Sequence, residues 1–214
     1  MDQGTKMESN IHPKKLQMIL QPIKPFEKAS TSLEQYPTTA HLASQFMCFA
    51  RDDITNKTVA DFGCGTGMLS LAALVLGATY VCGFEIDTSA IKVLKENFDM
   101  FDLKEEVIKC DITQLKATES VQTVIMNPPF GTKQNAGIDI IFLEKAVQFA
   151  KESVWSMHKT STRKYIIKTM KNNPRVKEVK IMAEMKFDLP QTMKFHKKKL
   201  KQILVDLIKI EIIQ

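Results

Sequence analysis

Cysteines and long apolar runs are scarce in this sequence, and each scarcity excludes a class of protein. Its four cysteines, none in a Cys-x-x-Cys pair, are Cys48, Cys64, Cys82 and Cys110. This pattern favours buried, reduced thiols over a disulfide framework, and we predict no metal site. The longest apolar run, LSLAALVLGA, is far shorter than the roughly 20 residues of a membrane-spanning helix. Because the N-terminus also lacks the apolar core of a signal peptide, we expect a soluble intracellular protein.

No large excess of one charge is present. Lysine and arginine number 30 against 24 aspartates and glutamates, which gives a net charge of +6. That balance is compatible with a polyanionic partner such as nucleic acid but does not require one. Hydrophobic residues make up 44% of the 214 residues and charged residues 25%, values typical of a soluble domain with a substantial core.

From Thr58 onward, apolar strands alternate with helices. Four runs read as buried strands: TVADFG, YVCGFEI, VIKCDI and VQTVIMN. Continuous apolar runs are typical of parallel strands covered on both faces. Further along, DIIFLEKAVQFAKESV is predicted as a helix and VWSMHK as a short fifth strand.

The C-terminal part changes character. VKEVKIMAEMKFDL and KQILVDLIKIEI alternate apolar and polar residues, as half-exposed antiparallel strands do. We therefore predict an α/β fold with a seven-stranded, mostly parallel sheet, an antiparallel C-terminal strand and helices on both faces. Residues 1–30 are expected to be poorly ordered, and residues 31–214 to form a single domain.

A glycine-rich segment, ADFGCGTG, follows the first predicted strand and opens the first helix of the alternating region. Gly63, Gly65 and Gly67 allow the backbone to approach a ligand with no Cβ in the way. The spacing differs from the G-x-G-x-x-G of dinucleotide-binding proteins, and the lysine of a P-loop is missing. Taken alone, such a segment can be an ordinary strand-to-helix turn.

Acidic residues end the next two predicted strands. Glu85, in FEID, stands where ribose-binding sheets carry an acid for the sugar hydroxyls, and it follows the strand more directly than Asp87. Asp111 ends VIKCD, where its carboxylate could bind the amino group of a nucleoside while Ile112 packs on the ring. The glycine segment and the two acids together predict a nucleoside pocket at the carboxyl edge of the sheet.

The fourth predicted strand ends in the tetrapeptide Asn127-Pro128-Pro129-Phe130. In a doubly wound sheet this strand lies beside the first, where strand order reverses and ligands bind. The two prolines fix the backbone and remove two donors, which leaves the Asn127 side-chain oxygen and the Pro128 carbonyl as acceptors.

Two acceptors beside an aromatic ring suit a planar group that carries an NH2. Accepting both hydrogens raises the electron density on a weakly nucleophilic nitrogen, while the planar group stacks on Phe130. Positioning of this kind removes roughly 7–11 kcal/mol of an activation barrier in favourable cases. The alternative is a stiff turn whose phenylalanine fills the core.

These motifs resemble those of class I S-adenosylmethionine-dependent methyltransferases that act on amino groups. More closely, the chain resembles the eukaryotic adenine-N6 methyltransferases of small-subunit (18S) ribosomal RNA. The segments that carry this resemblance, in order, are LEQYPT, VADFGCGTGMLS, GFEID, VIMNPPFGTK, HKTSTR and FDLP…KFHKKK. The resemblance implies a Rossmann-like fold, S-adenosyl-L-methionine as cofactor, and N6-methylation of a specific adenosine in 18S rRNA.

The resemblance also implies roles for individual residues. The implied cofactor-binding residues are Gln35, Thr38, Gly63, Gly65, Thr66, Met68, Glu85, Asp111 and Ile112. The implied catalytic residues are Asn127, Pro128, Pro129 and Phe130. Members of the family often have aspartate where this chain has Glu85, but either acid can bind ribose hydroxyls.

Two partners are expected. The resemblance implies a heterodimer with the small zinc-binding activator subunit shared by several eukaryotic methyltransferases, and the third strand, VIKCDI, is the expected free edge for docking. Within the basic segment KFHKKKLK, Lys197, Lys198 and Lys199 are predicted to contact RNA phosphates, although a solvated loop is the ordinary alternative. An rRNA substrate implies the nucleus or nucleolus and the cytoplasm.

Three other functions remain open at this point. Methylation of a protein glutamine amide poses the same chemical problem, although such enzymes more often have tyrosine at the last position of the tetrapeptide. DNA adenine is a second substrate with the same amino group. A catalytically silent scaffold that binds cofactor or RNA is the third, and the intact tetrapeptide argues against it.

Overall fold

The computed structural model describes residues 11–104, 106–116, 121–131, 135–190 and 200–213. Within them, the strands are β1 (Thr58–Phe62), β2 (Tyr80–Glu85), β3 (Val107–Lys109), β4 (Val121–Met126), β5 (Ala150–Lys159), β6 (Val176–Pro190) and β7 (Leu200–Ile212). The α-helices are α1 (Pro13–Leu20), α2 (Ala40–Ala50), α3 (Met68–Val75), α4 (Thr88–Met100), α5 (Ile138–Phe149) and α6 (Arg163–Lys171).

The strands form one sheet in the order β3-β2-β1-β4-β5-β7-β6. Neighbours from β3 to β5 pair in parallel, whereas β7 is antiparallel to both β5 and β6. Six strands therefore run in one direction and one runs against them. The predicted fold, the position of β4 beside β1 and the edge position of β3 are confirmed.

The core has two layers, one on each face of the sheet. Helices α1 to α4 cover one face, and α5 and α6 cover the other. Because successive side chains of a strand point to opposite faces, Ile125 packs into the first layer while its neighbours Val124 and Met126 pack into the second. Strands covered on both sides explain the continuous apolar runs in the sequence.

The β6–β7 hairpin extends past the rest of the sheet. Pairing of β5 with β7 ends at Lys159 opposite Val205, whereas β6 and β7 stay paired up to Pro190 opposite Leu200. Five further residues of each arm therefore project beyond the carboxyl edge of the parallel strands, over roughly 17 Å. The segment between the arms, which contains Lys197 to Lys199, lies outside the described residues.

The expectation of a poorly ordered N-terminal segment is wrong for residues 13–20. They form α1, which begins at Pro13 after His12, whose ring accepts a hydrogen bond from the Lys14 backbone. Leu16 and Leu20, four residues apart on one face, are fully buried in the first core layer. That layer runs across the proposed domain boundary at residue 31, while residues 1–10 lie outside the described part of the chain.

The predicted end of α5 is also wrong. The helix ends at Phe149, and β5 begins at Ala150, where it pairs with β4, four residues before the predicted start. The Arg175 guanidinium donates to the carbonyls of Gln148 and Ala150 and so binds the orphan acceptors at this junction. Tertiary contacts of this kind override the helical spacing of the sequence.

Smaller features follow the chemistry of the side chains. Helix α4 is capped by Asp87, whose carboxylate accepts a hydrogen bond from the Ser89 backbone. The four cysteines are unpaired, and Cys110 is only partly buried. No helix among the described residues is long and apolar enough to cross a membrane.

Candidate active site

A cavity of about 610 Å³ opens at the carboxyl ends of β1, β2 and β4. The structure brings all thirteen predicted cofactor and catalytic residues to its lining. The opposite wall is formed by residues 21–39, here called the N-terminal arm, which crosses from α1 to α2. Three strand ends and one arm thus enclose a single site.

The glycine segment is folded back onto β2. Gly63, Gly65 and Gly67 have φ values of 70°, 55° and 90°, in the left-handed region that favours glycine. The backbone N–H groups of Gly63 and Cys64 donate to the Phe84 carbonyl. These contacts hold the loop at the edge of the cavity with its backbone towards the ligand space.

Glu85 is 7% exposed and is held by backbone donors. Its Oε1 accepts from the N–H groups of Ile86 and Asp87 at 2.8 and 2.9 Å, and its Oε2 accepts from Gly65 at 2.8 Å. Burial raises the pKa of this carboxyl, although the backbone hydrogen bonds oppose that shift. A carboxylate accepts about four hydrogen bonds, so Oε2 retains room for a ligand hydroxyl.

Asp61 is a site residue that the sequence reasoning missed. It is 1% exposed, and its Oδ2 accepts a 2.6 Å hydrogen bond from the Ser70 hydroxyl. Its buried Oδ1 has no partner in the described part of the chain. Burial raises the pKa of Asp61 to about 7, a shift that the Ser70 hydrogen bond opposes and the Glu85 charge increases. An acid inside the apolar strand VADF was the available signal.

Asp111 and Ile112 lie at the end of β3, as predicted. The Asp111 Oδ1 accepts hydrogen bonds from the backbone and hydroxyl of Thr113, both at 2.8 Å. These bonds fix the carboxylate as the cap of a short 3-10 turn. Ile112 is buried and lines the cavity beside it.

The N-terminal arm is hydrogen-bonded to the cofactor side of the cavity. Both ends of the Gln35 amide are bonded within the protein, since Nε2 donates to Asp87 at 2.7 Å and Oε1 accepts from the Ser30 backbone at 2.7 Å. The Phe26 ring covers Gly65 so closely that a Cβ there would lie 2.8 Å from it. The sequence reasoning missed Phe26, for which no local signal is present.

Asn97 is a second connection that was missed. Its Oδ1 accepts from the Lys24 backbone at 2.9 Å, and its Nδ2 donates to the Lys24 and Thr66 carbonyls at 3.0 and 2.9 Å. The side chain is fully buried and joins the arm to the glycine segment. An asparagine within the apolar stripe of α4, between Leu94 and Phe98, was the signal.

The tetrapeptide Asn127–Phe130, predicted to be catalytic, lines the cavity on the side of β4. The Asn127 Nδ2 donates to the Thr38 hydroxyl at 2.9 Å, and the buried Oδ1 has no partner among the described residues. Phe130 is 5% exposed and meets the edge of Phe187, with ring centroids 5.3 Å apart. The Lys159 ammonium lies 5.8 Å from the Phe130 ring centroid.

The chain matches a known family over most of its length. The family model described as methyltransferase small domain matches residues 38–174. The chain belongs to this family. A Danio rerio protein named rRNA N(6)-adenosine-methyltransferase METTL5 is 45% identical over 202 residues, which cover 92% of this chain and 97% of that protein. The Drosophila melanogaster protein of the same name is 42% identical over 206 residues, 93% and 96% of the two chains.

A solved structure has the same fold. The crystal structure of a candidate RNA methyltransferase from Pyrococcus horikoshii superposes with a TM-score of 0.83 and 36% identity. The superposition covers 96% of this chain and 100% of the archaeal one. The protein is therefore an S-adenosylmethionine-dependent methyltransferase of class I, as the sequence predicted.

The cavity fits this cofactor. S-adenosylmethionine carries a cationic amino group, a sulfonium and two ribose hydroxyls, all of which favour acceptors or negative charge. The cofactor side of the cavity presents carboxylates from Asp61, Glu85 and Asp111, and the buried Asp61 Oδ1 is free to accept. These acceptors, including the Asp61 oxygen that has no partner among the described residues, therefore match the donors and positive charge of the cofactor.

Proposed function

We propose that this protein methylates N6 of a specific adenosine in 18S rRNA. The Asn127 Oδ1 carries the proposal, because this buried acceptor has no partner among the described residues and lines the cavity, where a substrate donor would satisfy it. An exocyclic NH2 is such a donor. The relatives' names, rRNA N6-adenosine methyltransferase, support rRNA adenosine as its source.

The tetrapeptide would hold the target base as follows. The Asn127 Oδ1 and the Pro128 carbonyl accept one N6 hydrogen each, which aims the nitrogen and increases its electron density. The base stacks on the side of Phe130 that faces the cavity, while Pro129 keeps the turn rigid. The target adenosine leaves its stack to enter, so unpaired RNA is the favoured form.

The remaining predicted residues would hold the cofactor. When bound, S-adenosylmethionine would supply an electrophilic methyl group and leave as the neutral thioether, while the substrate nitrogen would release one proton to water. Glu85 would accept hydrogen bonds from the ribose hydroxyls of the cofactor, and Asp111 would accept one from the amino group of the cofactor's adenine. Ile112 would pack on that adenine ring. The other assigned contacts are Gln35, Thr38, Gly63, Gly65, Thr66 and Met68.

Replacing Asn127 with alanine tests the proposal. Transfer of tritiated methyl to small-subunit rRNA should fall at least about 100-fold, a loss comparable to removing a preorganised group that binds the reacting atoms. Cofactor affinity should be unchanged, since Asn127 contacts the substrate side. Wild-type protein supplied separately with rRNA, DNA and protein should label rRNA alone; labelling of DNA or a glutamine amide instead would overturn the substrate assignment.

A small zinc-binding activator subunit is the partner we propose at β3. This strand pairs only with β2 among the described elements and leaves Ile108 49% exposed. Exposed apolar side chains of Tyr80 and Ile86 lie on the neighbouring strand and the turn after it. An uncovered edge with apolar flanks favours pairing with another chain. From an rRNA substrate we also propose that the complex is located in the nucleus or nucleolus and in the cytoplasm.

Contact of Lys197, Lys198 and Lys199 with RNA remains a prediction. The arms of the β6–β7 hairpin that flank this segment end at Pro190 and Leu200 and project beyond the carboxyl edge of the sheet, towards the side from which we expect RNA to approach. Neutralising all three should weaken RNA binding and its dependence on salt without weakening cofactor binding.

A further inference from the structure

A strongly basic segment follows the active site in the chain and takes no part in the cavity. Residues 159–177 contain seven lysines and arginines and no acidic residue. The net charge of the whole chain is +6, so all other residues together carry −1. The positive charge of the protein is therefore concentrated, and this segment has a large share of it.

Three lysines of this segment share one face of α6. Lys164, Lys168 and Lys171 are exposed, and helical spacing puts them within an arc of about 60°. The arc lies opposite Ile166 and Met170, which are fully buried in the core. In the part of the chain that the structure describes, none of the three lysines has an ion pair or a side-chain hydrogen bond.

Arg163, the residue before Lys164, differs from the three lysines because acidic side chains bind it. The Arg163 guanidinium donates to Asp206 at 2.7 and 2.6 Å and to Glu184 at 2.8 Å. Arg163 is thus held by two acidic side chains. The α6 lysines have no such acids, although the two in the last turn also favour the helix dipole.

An exposed aromatic ring stands beside the lysines. Tyr165 is 62% exposed and lies on the helix next to Lys164 and one turn before Lys168. A ring left in solvent among cations is the arrangement by which proteins bind single-stranded nucleic acid, because bases stack on rings while phosphates meet the cations.

The segment that leads into α6 starts beside the proposed catalytic tetrapeptide. Lys159 ends β5 with its ammonium 5.8 Å from the Phe130 ring centroid, and α6 begins four residues later and runs away from the cavity. Helix α6 packs on β6, at one edge of the sheet, whereas the edge proposed for the partner is β3 at the opposite end. A partner at β3 leaves the α6 face open.

We propose that Lys164, Tyr165, Lys168 and Lys171, the α6 face, bind the single-stranded RNA that flanks the target adenosine. The lysines contact phosphates, and the tyrosine stacks on an unpaired base. This inference rests on the proposed rRNA substrate, so its test measures RNA binding without methyl transfer.

The test compares two triple variants of the full chain. Lys164→Gln, Lys168→Gln and Lys171→Gln together keep helix propensity and remove three charges. The affinity for a single-stranded RNA oligonucleotide that contains one adenosine is measured across a series of salt concentrations. The slope of log affinity against log salt should become shallower by about 2, since each contact to single-stranded nucleic acid contributes roughly 0.7.

The matched control removes three exposed lysines elsewhere, at Lys14, Lys104 and Lys151. An equal change of slope in both triple variants, or no change in either, would overturn the proposal.

A single variant covers the case in which the α6 triple variant has a lowered melting temperature. Lys164 lies at the N-terminal end of α6, where the helix dipole does not favour a cation, so Lys164→Gln should not destabilise the helix. This variant alone should still make the slope shallower by about 0.7. Tyr165→Ala should reduce affinity about fivefold or more with the slope intact. Wild-type protein that binds this RNA but transfers no methyl group to small-subunit rRNA would instead contradict the proposed function and leave the α6 face unaffected.

Discussion

Among single residues, Thr38 has the most direct effect on the proposed chemistry. Its hydroxyl accepts from the Asn127 Nδ2, and this bond turns the amide so that Oδ1 faces the cavity. The family resemblance assigns Thr38 to the cofactor, whereas the structure adds a contact with Asn127, the side chain that we propose binds the target amine. One residue of the N-terminal arm thus positions a group on β4.

Replacing Thr38 with valine should lower kcat for methyl transfer to rRNA by roughly tenfold or more. Valine has the same shape but cannot accept the hydrogen bond, so the amide loses its fixed orientation, worth about 0.5–1.5 kcal/mol before the effect on positioning. Thr38→Ser should retain most of the rate. Equal loss in both variants, or a loss confined to cofactor affinity, would mean that Thr38 acts on the cofactor instead.

Asp61 makes the stability of the ligand-free protein depend on pH. Its pKa is about 7 in the fold against an ordinary 3.8, so the folded form holds the proton more tightly than the unfolded chain. The resulting stabilisation is complete below about pH 4 and is lost as pH rises through 7. Between pH 5 and 8 this loss amounts to roughly 3 kcal/mol.

Asp61→Asn should remove most of the pH-dependent loss in the free energy of unfolding. Urea unfolding of the ligand-free variant should show a free energy that changes less between pH 5 and 8 than that of the wild type. Ser70→Ala, which removes the hydrogen bond that lowers the pKa of Asp61, should move the wild-type loss to higher pH. Parallel pH curves for wild type and Asp61→Asn would contradict the assignment.

Among the larger elements, the N-terminal arm has the widest influence on the site. It contacts the glycine segment through Phe26, α4 through Asn97 and β4 through Thr38. These contacts come from three different parts of the chain. The arm therefore completes a cavity that the parallel sheet alone leaves open.

Gly65→Ala should reduce cofactor affinity by calorimetric titration more than Gly137→Ala. Both positions have positive φ, at 55° and 86°, so both variants carry similar backbone strain of about 1–2 kcal/mol. A Cβ at Gly65 would also meet the Phe26 ring at 2.8 Å, whereas one at Gly137 meets nothing within 4 Å.

The double variant Phe26→Ala/Gly65→Ala separates the two causes. If the clash with the arm matters, removing the ring should restore part of the affinity lost in Gly65→Ala, a coupling between two residues in contact. Strictly additive losses would show that the arm does not press on the glycine segment.

Sequence patterns predicted these elements unevenly. The continuous apolar run of β1 and the alternating runs of β6 and β7 were predicted within a few residues, because the length and pattern of apolar residues mark each strand. The end of α5 was not, since the contacts of Arg175 from a distant turn decide it. Asp61 and Asn97 were visible as polar residues in apolar runs, but Phe26 functions through a long-range contact with no local signature.

The whole molecule presents two surfaces at opposite ends of its sheet. The β3 edge carries exposed apolar groups, and the α6 face beyond β5 carries lysines. An apolar edge suits a permanent protein partner, whereas a basic face suits a polyanion. The arrangement allows partner and RNA to bind together.

Ile108→Lys should weaken capture of the small zinc-binding subunit, measured by co-purification, without lowering the melting temperature of the isolated chain. The side chain is 49% exposed, so the charge meets water in the free protein but would be buried by a docked strand. Met18→Lys, at a 75% exposed site on α1, is the control. Undiminished co-purification with Ile108→Lys would exclude the β3 edge.

The length of the projecting β6–β7 hairpin sets the distance between the proposed base pocket and the end of the hairpin. Its paired arms reach roughly 17 Å past the last residue of β5, while Phe187 on the same hairpin touches Phe130 at the catalytic mouth. One paired ladder therefore joins the ring that contacts Phe130 to the hairpin end at Pro190 and Leu200, next to the segment for which RNA contacts of Lys197 to Lys199 are proposed. Lengthening or shortening the paired arms would change the distance between the Phe130 ring and the end of the hairpin. Through the proposed RNA contact, hairpin length would then alter which adenosine is methylated without changing the residues that hold the target base.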